Sequence, residues 1–498
     1  MGLLDFFRKK AADAAPPAAA QAKRLASVGR RPPRRSFDLG GASSVTEGWP
    51  GRGSRSINED LRARLLLMRK RSRDLAQNND YAKRFKRLCI TNIVGPKGVG
   101  MQAQARNPDG ALDVPANERI EEGWKQWGRR GNCEITGMLS WVDVQRMCAG
   151  TVPEDGEILV LLVEGQAAGN PEGLALQVLE PDALPIHLNR ELPNGNRIVM
   201  GVEVTPAGRP VAYWLSRKRD AYHSLQEGDY VRFPAEKVIH LFVPEYPNQL
   251  RGIPWFHSAG VRLNQIGAYE VAEVVAARLG AAKMGFFTPS ESEEYEGEGE
   301  DDDGDIITEA EPGVFEKLPP GVQLQTWDPQ HPNANFDKFV KRELMGVAAG
   351  LGVSYPTLAS DLEGVSYSSG RLGTLDERDM WMFLQDWFAE TLCQRVFEAW
   401  LPRALLSGTV QLPLRKLEKF SAVRWQPRRW AWVDPLKDMV ANEKAVKLRI
   451  KSRRQIVEEN GGDFDQTIAQ LEQEEKALKE KGLLPPDKEV GNGKAATG

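Results

Sequence analysis

Residues 254–283 read PWFHSAGVRLNQIGAYEVAEVVAARLGAAK, and the reading of this stretch decides the fold. Pro254 suits the first turn of a helix, where an amide hydrogen would have no intrahelical acceptor. No other proline follows before Lys283, and Val261, Leu263, Ile266, Val271, Val274, Val275 and Leu279 keep the stretch apolar. One long helix is predicted. Beyond it residues 291–311 are almost purely acidic, and residues 333–350 predict a second helix with Phe336, Val340, Leu344, Val347 and Leu351 on one stripe. Two helices therefore bracket an acidic insertion.

Towards the N-terminus, the apolar run 156–163 suits a buried strand, and strand-like pieces follow at 176–179, 198–204, 210–215 and 238–242. Turn chemistry such as Pro193-Asn194-Gly195-Asn196 separates them. Helical patterns occupy 116–127, 141–149 and 57–92; in the last, Leu61, Leu65, Met68, Leu75, Tyr81, Phe85 and Leu88 recur at helical spacing. Gln77-Asn78-Asn79-Asp80 interrupts that pattern, so two helices are expected, stopping at Gly95-Pro96. Residues 1–56 form a basic arm, Ala/Pro-rich and then Arg/Pro/Gly/Ser-rich.

Towards the C-terminus, residues 352–373 have turn-forming composition and are expected to be a long loop. An aromatic-rich helix should follow at 374–401, carrying Trp381, Leu384, Trp387, Phe388, Leu392, Val396 and Trp400. A strand-like piece leads to the helical 436–482, which lacks a sustained heptad, and 483–498 read as a disordered tail. The fold class is α+β, with 498 residues sufficient for two or three cores.

A formal charge of -3 does not mark a stationary duplex-binding protein, which needs a dense basic face. The total hides an asymmetry, because Arg30, Arg31, Arg34, Arg35 and the run Arg69-Lys70-Arg71-Ser72-Arg73 fall early while the acidic run falls late. The four cysteines, Cys89, Cys133, Cys148 and Cys393, are far apart and read as reduced thiols without a zinc or disulfide pattern. The first ten residues are too short for a signal peptide, and no apolar run reaches the roughly 20 residues of a membrane span. Synthesis in the cytosol and no membrane partner are expected.

Catalytic patterns are missing from the text. His187, His223, His240, His257 and His331 are scattered, and neither an HExxH nor a Gly-x-Ser-x-Gly pattern occurs. Gly95-Pro96-Lys97-Gly98-Val99-Gly100 lacks the Gly-Lys-Ser/Thr ending of a phosphate loop and reads as a turn. Asp301-Asp302-Asp303-Gly304-Asp305 could gather a hard cation, but its glycine is misplaced for a calcium loop and no closing glutamate follows. A solvated acidic loop, or a docking surface for a basic partner, is the alternative. No catalytic residue, metal ligand or cofactor is assigned.

Five blocks in order resemble the lambda-like family of tailed-bacteriophage portal proteins. They are Asp74-Leu75-Ala76-Gln77-Asn78-Asn79-Asp80-Tyr81-Ala82-Lys83-Arg84 ending in Asn92-Ile93-Val94-Gly95; Asp155-Gly156-Glu157; Gly252-Ile253-Pro254-Trp255; Tyr367-Ser368-Ser369-Gly370-Arg371; and Trp432-Val433-Asp434-Pro435-Leu436-Lys437-Asp438. Ser366 stands where the fourth block usually begins with asparagine. The resemblance implies a structural, non-enzymatic subunit of a dodecameric ring at one vertex of the capsid, assembled in the host cytoplasm. That ring is the conduit for double-stranded DNA in packaging and ejection, and it would meet the terminase motor, head-tail adaptor proteins, and the major capsid and scaffold proteins.

Carried onto this chain, the resemblance gives a wing at 57–253, stem helices at 254–283 and 333–351, and a clip at 284–332 between them. It further gives a channel loop at 352–373, a wing helix and strand at 374–434 and a crown at 435–482. Candidate DNA-channel residues are then Lys338, Lys341, Arg342, Tyr367, Ser368, Ser369 and Arg371, with intersubunit salt bridging or solvation as the other reading of each. Candidate docking residues for terminase and connector proteins are Glu291, Glu293, Glu294, Glu296, Glu298, Glu300, Asp301, Asp302, Asp303 and Asp305. The rival classes are another virion protein, such as a head-tail adaptor or minor capsid protein, and a nucleic-acid enzyme.

Overall fold

The computed structural model describes residues 56–218, 225–281, 285–289, 322–326, 335–363, 366–430, 435–460, 462 and 464–482. The chain divides into two compact units, Met1–Arg55 and Ser56–Gly498, and every described residue belongs to the second. Helix α1, Ile57–Asn78, starts at a capping box in which Ser56 and Glu59 satisfy each other's amides. Helix α2, Asp80–Cys89, begins one residue after α1 ends, because the Asn79 side chain accepts from the Ala82 amide at 3.0 Å and caps a new helix. A π-helical turn, Ile90–Val94, ends at Gly95 in the left-handed region with φ 74°.

Strand β1 (Gly100–Ala103), helix α3 (Val114–Trp127) and helix α4 (Trp141–Asp155) lead to β2, Ile158–Glu164, and its antiparallel neighbour β3, Leu174–Leu179. A five-stranded antiparallel meander follows, in the order β4 (Arg190–Glu191), β5 (Arg197–Val199), β6 (Val202–Val204), β7 (Pro210–Lys218) and β8 (Leu225–Pro234). Strand β9, Val238–Leu241, returns to the other edge of β2. Ile158, Val160 and Leu162 of β2 enter the main core, while Leu159 and Leu161 enter a second core with Val202, Val204, Tyr213 and Leu215 of the meander. The unbroken apolar run of β2 is thus explained by burial on both faces.

The single strand expected at 198–204 is instead a tight hairpin. Met200 and Gly201 have φ of 50° and 83°, and Val199 pairs with Val202, the geometry of a two-residue turn with both central residues left-handed. Gly201 adopts this freely, whereas Met200 is held there: its amide donates to Asn189 Oδ1 at 2.9 Å and its carbonyl accepts from Arg251 Nη1 at 2.7 Å.

After β9 the chain makes a short 3-10 turn, Trp255–His257, and then α5, Gly260–Ala281. Strands β10 (Gly285–Pro289) and β11 (Val322–Thr326) pair antiparallel, and α6 spans Phe336–Leu351. The continuous loop expected at 352–373 is corrected here. Residues Tyr355–Ala359 form the short helix α7, and α8 runs Tyr367–Phe388, so the serine-rich block opens a helix. Tertiary bonds outweigh the weak local propensity: the Glu377 carboxylate of α8 accepts from the Thr357 hydroxyl at 3.1 Å and from the Ser354 amide. A π-helical turn, Ala389–Gln394, joins α8 to α9, Arg395–Ser407.

The chain closes through α10 (Leu417–Phe420) and β12 (Val423–Gln426), which pairs antiparallel with β1. Three helices follow: α11 (Pro435–Lys447), α12 (Arg453–Glu459) and α13 (Phe464–Glu480). Trp124, Trp127, Trp141, Phe397, Trp400 and Trp425 interlock where α3, α4 and α9 meet β12, which places five of the thirteen tryptophans in one cluster.

Candidate functional site: the root of the long helix

The Asp155-Gly156-Glu157 and Gly252-Ile253-Pro254-Trp255 blocks, far apart in sequence, cross at the root of α5. A β-carbon on Gly252 would lie 2.0 Å from the Gly156 carbonyl oxygen, so only two glycine backbones can cross this closely. Glu157, wholly buried, takes the Gly252 amide at 2.6 Å on Oε2. The same carboxylate accepts from Arg251 Nε at 2.8 Å and Arg69 Nη2 at 2.8 Å, and His240 Nε2 lies 3.0 Å away.

Around this hub Arg69 also donates to the Asp155 carbonyl at 3.2 Å and to Asp182 at 3.1 Å. Arg73 grips both oxygens of Asp155, at 2.6 and 3.0 Å, and Asp182 at 2.6 Å. Burial alone would raise the Glu157 carboxyl, but Arg251, His240 and Arg69 outweigh it and hold the group well below the usual carboxylate range. One anion therefore ties α1, the end of α4, the meander hairpin and the entry to α5 into a single junction.

From that root, α5 lies alongside α6. Tyr269 of α5 meets Phe336 and Phe339 of α6, with ring centroids 5.6 and 5.2 Å apart, and Arg262 bonds Glu343 at 3.1 Å. Val340, Leu344, Val347, Ala348 and Leu351 form the buried stripe of α6. The opposite face carries Lys338 and Arg342, both exposed. Lys341 is drawn aside: its ammonium bonds Asp361 at 3.1 Å and sits 5.3 Å from the Tyr355 ring centroid, bracing α7 against α6.

Tyr367, Ser368, Ser369 and Arg371 fall in the first turns of α8, and their side chains lie outside the described residues. So do the acidic positions Glu291, Glu293, Glu294, Glu296, Glu298, Glu300, Asp301, Asp302, Asp303 and Asp305. Sequence reasoning missed Arg69 and Arg73, which it counted as part of a basic run. The signal was present, since Arg69 stands four residues after Leu65 on the buried stripe of α1. Among the described residues no group of His, Cys, Asp or Glu could hold a metal ion, and no helix is long and apolar enough to cross a membrane.

The fold and this junction define a class: an α+β protein whose long helix α5 is entered through a buried ionic junction and lies alongside α6. The family described as "Phage portal protein, lambda family" matches residues 43–385. The probable portal protein of Halomonas phage phiHAP-1 is 35% identical over 487 residues, covering 94% of this chain and 93% of that protein. Portal protein B of Escherichia phage lambda is 22% identical over 480 residues, covering 87% and 88%. A chain in the neck of an empty gene transfer agent particle aligns with a TM-score of 0.41 at 13% identity, over 80% of this chain and 93% of that one.

The chain belongs to the lambda family of phage portal proteins, and its role is structural, not enzymatic.

Proposed function

We propose that copies of this chain form a closed ring at one capsid vertex, with α5 and α6 as its stem and an axial channel for double-stranded DNA. The ring is a dodecamer in this reading. Residues 57–253 and 374–434 make its wing, 284–332 its clip, 352–373 its channel-facing segment and 435–482 its crown. The observation that carries the reading is the face of α5: Val261, Val271 and Val274 are 72%, 64% and 59% exposed in a single copy. An apolar face of this kind on a rigid helix calls for cover, and cyclic symmetry lets one heterologous patch close on the next copy.

Lys338 and Arg342, one helical turn apart on α6, give DNA shallow contacts without the dense basic surface that would hold it still. Electron microscopy of the purified protein should show hollow, axially symmetric particles with a bore wide enough for duplex DNA; a compact monomer would reject the ring. The acidic clip steers the packaging motor and later the connector proteins by long-range attraction. Neutralising the carboxylates between 291 and 311 should leave the rings intact and weaken motor docking, and unaltered DNA packaging by that variant would reject this role.

A further inference from the structure

Two helices of equal length present faces whose chemistry is opposite and whose spacing matches. On α1, Leu66 and Leu67 are 54% and 52% exposed, and Arg62, Lys70 and Arg71 flank them in the open. On α8, Phe383 is 62% exposed, and Asp379 and Asp386 stand on either side of it, with Asp376 on α8 and Glu390 in the π-helical turn that follows continuing the stripe outward. Arg62, Lys70, Arg71, Asp376, Asp379, Asp386 and Glu390 make no ion pair among the described residues. Each face is thus an apolar centre between like charges, cationic on α1 and anionic on α8; the carboxylates one turn further out on α1, Glu59 and Asp74, accept from the Ser56 amide and from Asn78.

We propose that the Arg62–Leu66–Lys70 face of α1 docks on the Asp379–Phe383–Asp386 face of α8 in a second copy of this chain. The inference rests on the ring reading and names one of its contacts. Arg62 to Lys70 spans about 12 Å of helix and Asp379 to Asp386 about 10 Å, so two cations can meet two carboxylates while Leu66 and Leu67 cover Phe383. Both helices belong to the same chain, and distinct donor and acceptor faces are what a head-to-tail cyclic contact requires. The basic face of α2, with Lys83 and Arg87, is a poorer match because it offers no apolar centre between its charges. DNA is a poorer occupant of the α1 face, since it would use the cations and leave both leucines wet.

The test is cross-linking in the assembled full-length protein. The four native cysteines are buried, so a Leu66→Cys/Phe383→Cys double variant presents two reactive thiols per copy. A short bis-maleimide should link assembled double variants into a ladder of multimers, and each single variant should give none. In parallel, Asp379→Lys with Asp386→Lys should raise the concentration needed for half-assembly by about tenfold or more. Adding Arg62→Glu and Lys70→Glu to the same chain should restore assembly. Unchanged far-ultraviolet circular dichroism identifies the variants that still fold.

Rings that assemble without a ladder, or that ignore the charge reversals, overturn this contact and leave the ring standing; another occupant then covers these faces. Reversals that block assembly without rescue by the swap also overturn the pairing. A wild-type protein that never assembles overturns the ring reading itself.

Discussion

Glu157→Ala is expected to loosen the root of α5 by about 3–5 kcal/mol, since it strands two buried guanidinium groups. Arg69 and Arg251 are essentially without solvent contact, and the carboxylate that faces both would be gone. Their remaining acceptors, the carbonyls of Asp155, Met200 and Pro181 together with Asp182, satisfy hydrogens but supply only one charge. Hydrogen exchange at the Gly252 amide, now donating to Glu157, is the direct measurement. Its protection should fall by about two to three orders of magnitude. A variant with native protection there would mean that the junction does not rest on this anion.

The pH dependence gives the same claim a second test. Arg251, His240 and Arg69 hold the Glu157 carboxyl below the usual carboxylate range against the effect of burial. A depressed carboxyl stabilises the fold fully above its ordinary range, and the contribution is lost as pH falls through the folded value. The gap between wild type and Glu157→Ala should therefore be constant near neutrality and shrink only in strong acid. A gap that closed well above the carboxylate range would reject the Glu157 carboxylate as its source.

The parts of this fold that were legible in the sequence are those set by local chemistry. The break between α1 and α2 could be read because Asn79 ends one helix and caps the next within its own four residues. Strand β2 could be read because burial on both faces leaves an unbroken apolar run. The hairpin at 199–202 was hidden, since Ile198, Met200, Val202 and Val204 alternate as a straight strand would, and the Arg251 bond that holds the Met200 carbonyl comes from 51 positions away. Residues 367–373 look like a loop because serine and glycine weaken a helix locally. Glu377 and Thr357 settle the matter from two different segments.

The junction was illegible for the same reason: its partners stand 88 and 94 positions from Glu157, and no periodicity relates them. The resemblance flagged its glycine-containing blocks without showing that they touch. The cations proposed for the channel were only partly legible. Lys338 and Arg342 are open as a stripe would have them, but Lys341 is committed to Asp361, a partner 20 residues on.

Gly252→Ala is expected to be among the most damaging single-methyl changes at the described glycines, because the new carbon would sit 2.0 Å from the Gly156 carbonyl oxygen and 2.4 Å from its carbon. Backbone atoms cannot swing aside as a side chain can, so the two strands of the crossing must part and the Gly252–Glu157 bond must break with them. A loss above about 4 kcal/mol follows, with the protein cut by added protease near residue 252. Gly156→Ala adds a second penalty, since Gly156 also has φ +86°.

Gly208→Ala separates the two effects: Gly208 shares that φ of +86° but has nothing within 4 Å of its would-be β-carbon, so its cost should stay near about 1–2 kcal/mol. Equal losses for Gly208→Ala and Gly252→Ala would refute the crossing as the source of rigidity. The proposed ring depends on the difference. In the proposed ring, a helix α5 held only by its own side-chain packing could tilt from copy to copy, whereas one entered through a close backbone crossing at Gly252, eight residues before Gly260, is held to the same angle in every copy. Uniform angle is the condition for many identical rods to close into one bore. Rings recovered from Gly252→Ala should accordingly be fewer, and their stems should vary in angle within a single particle.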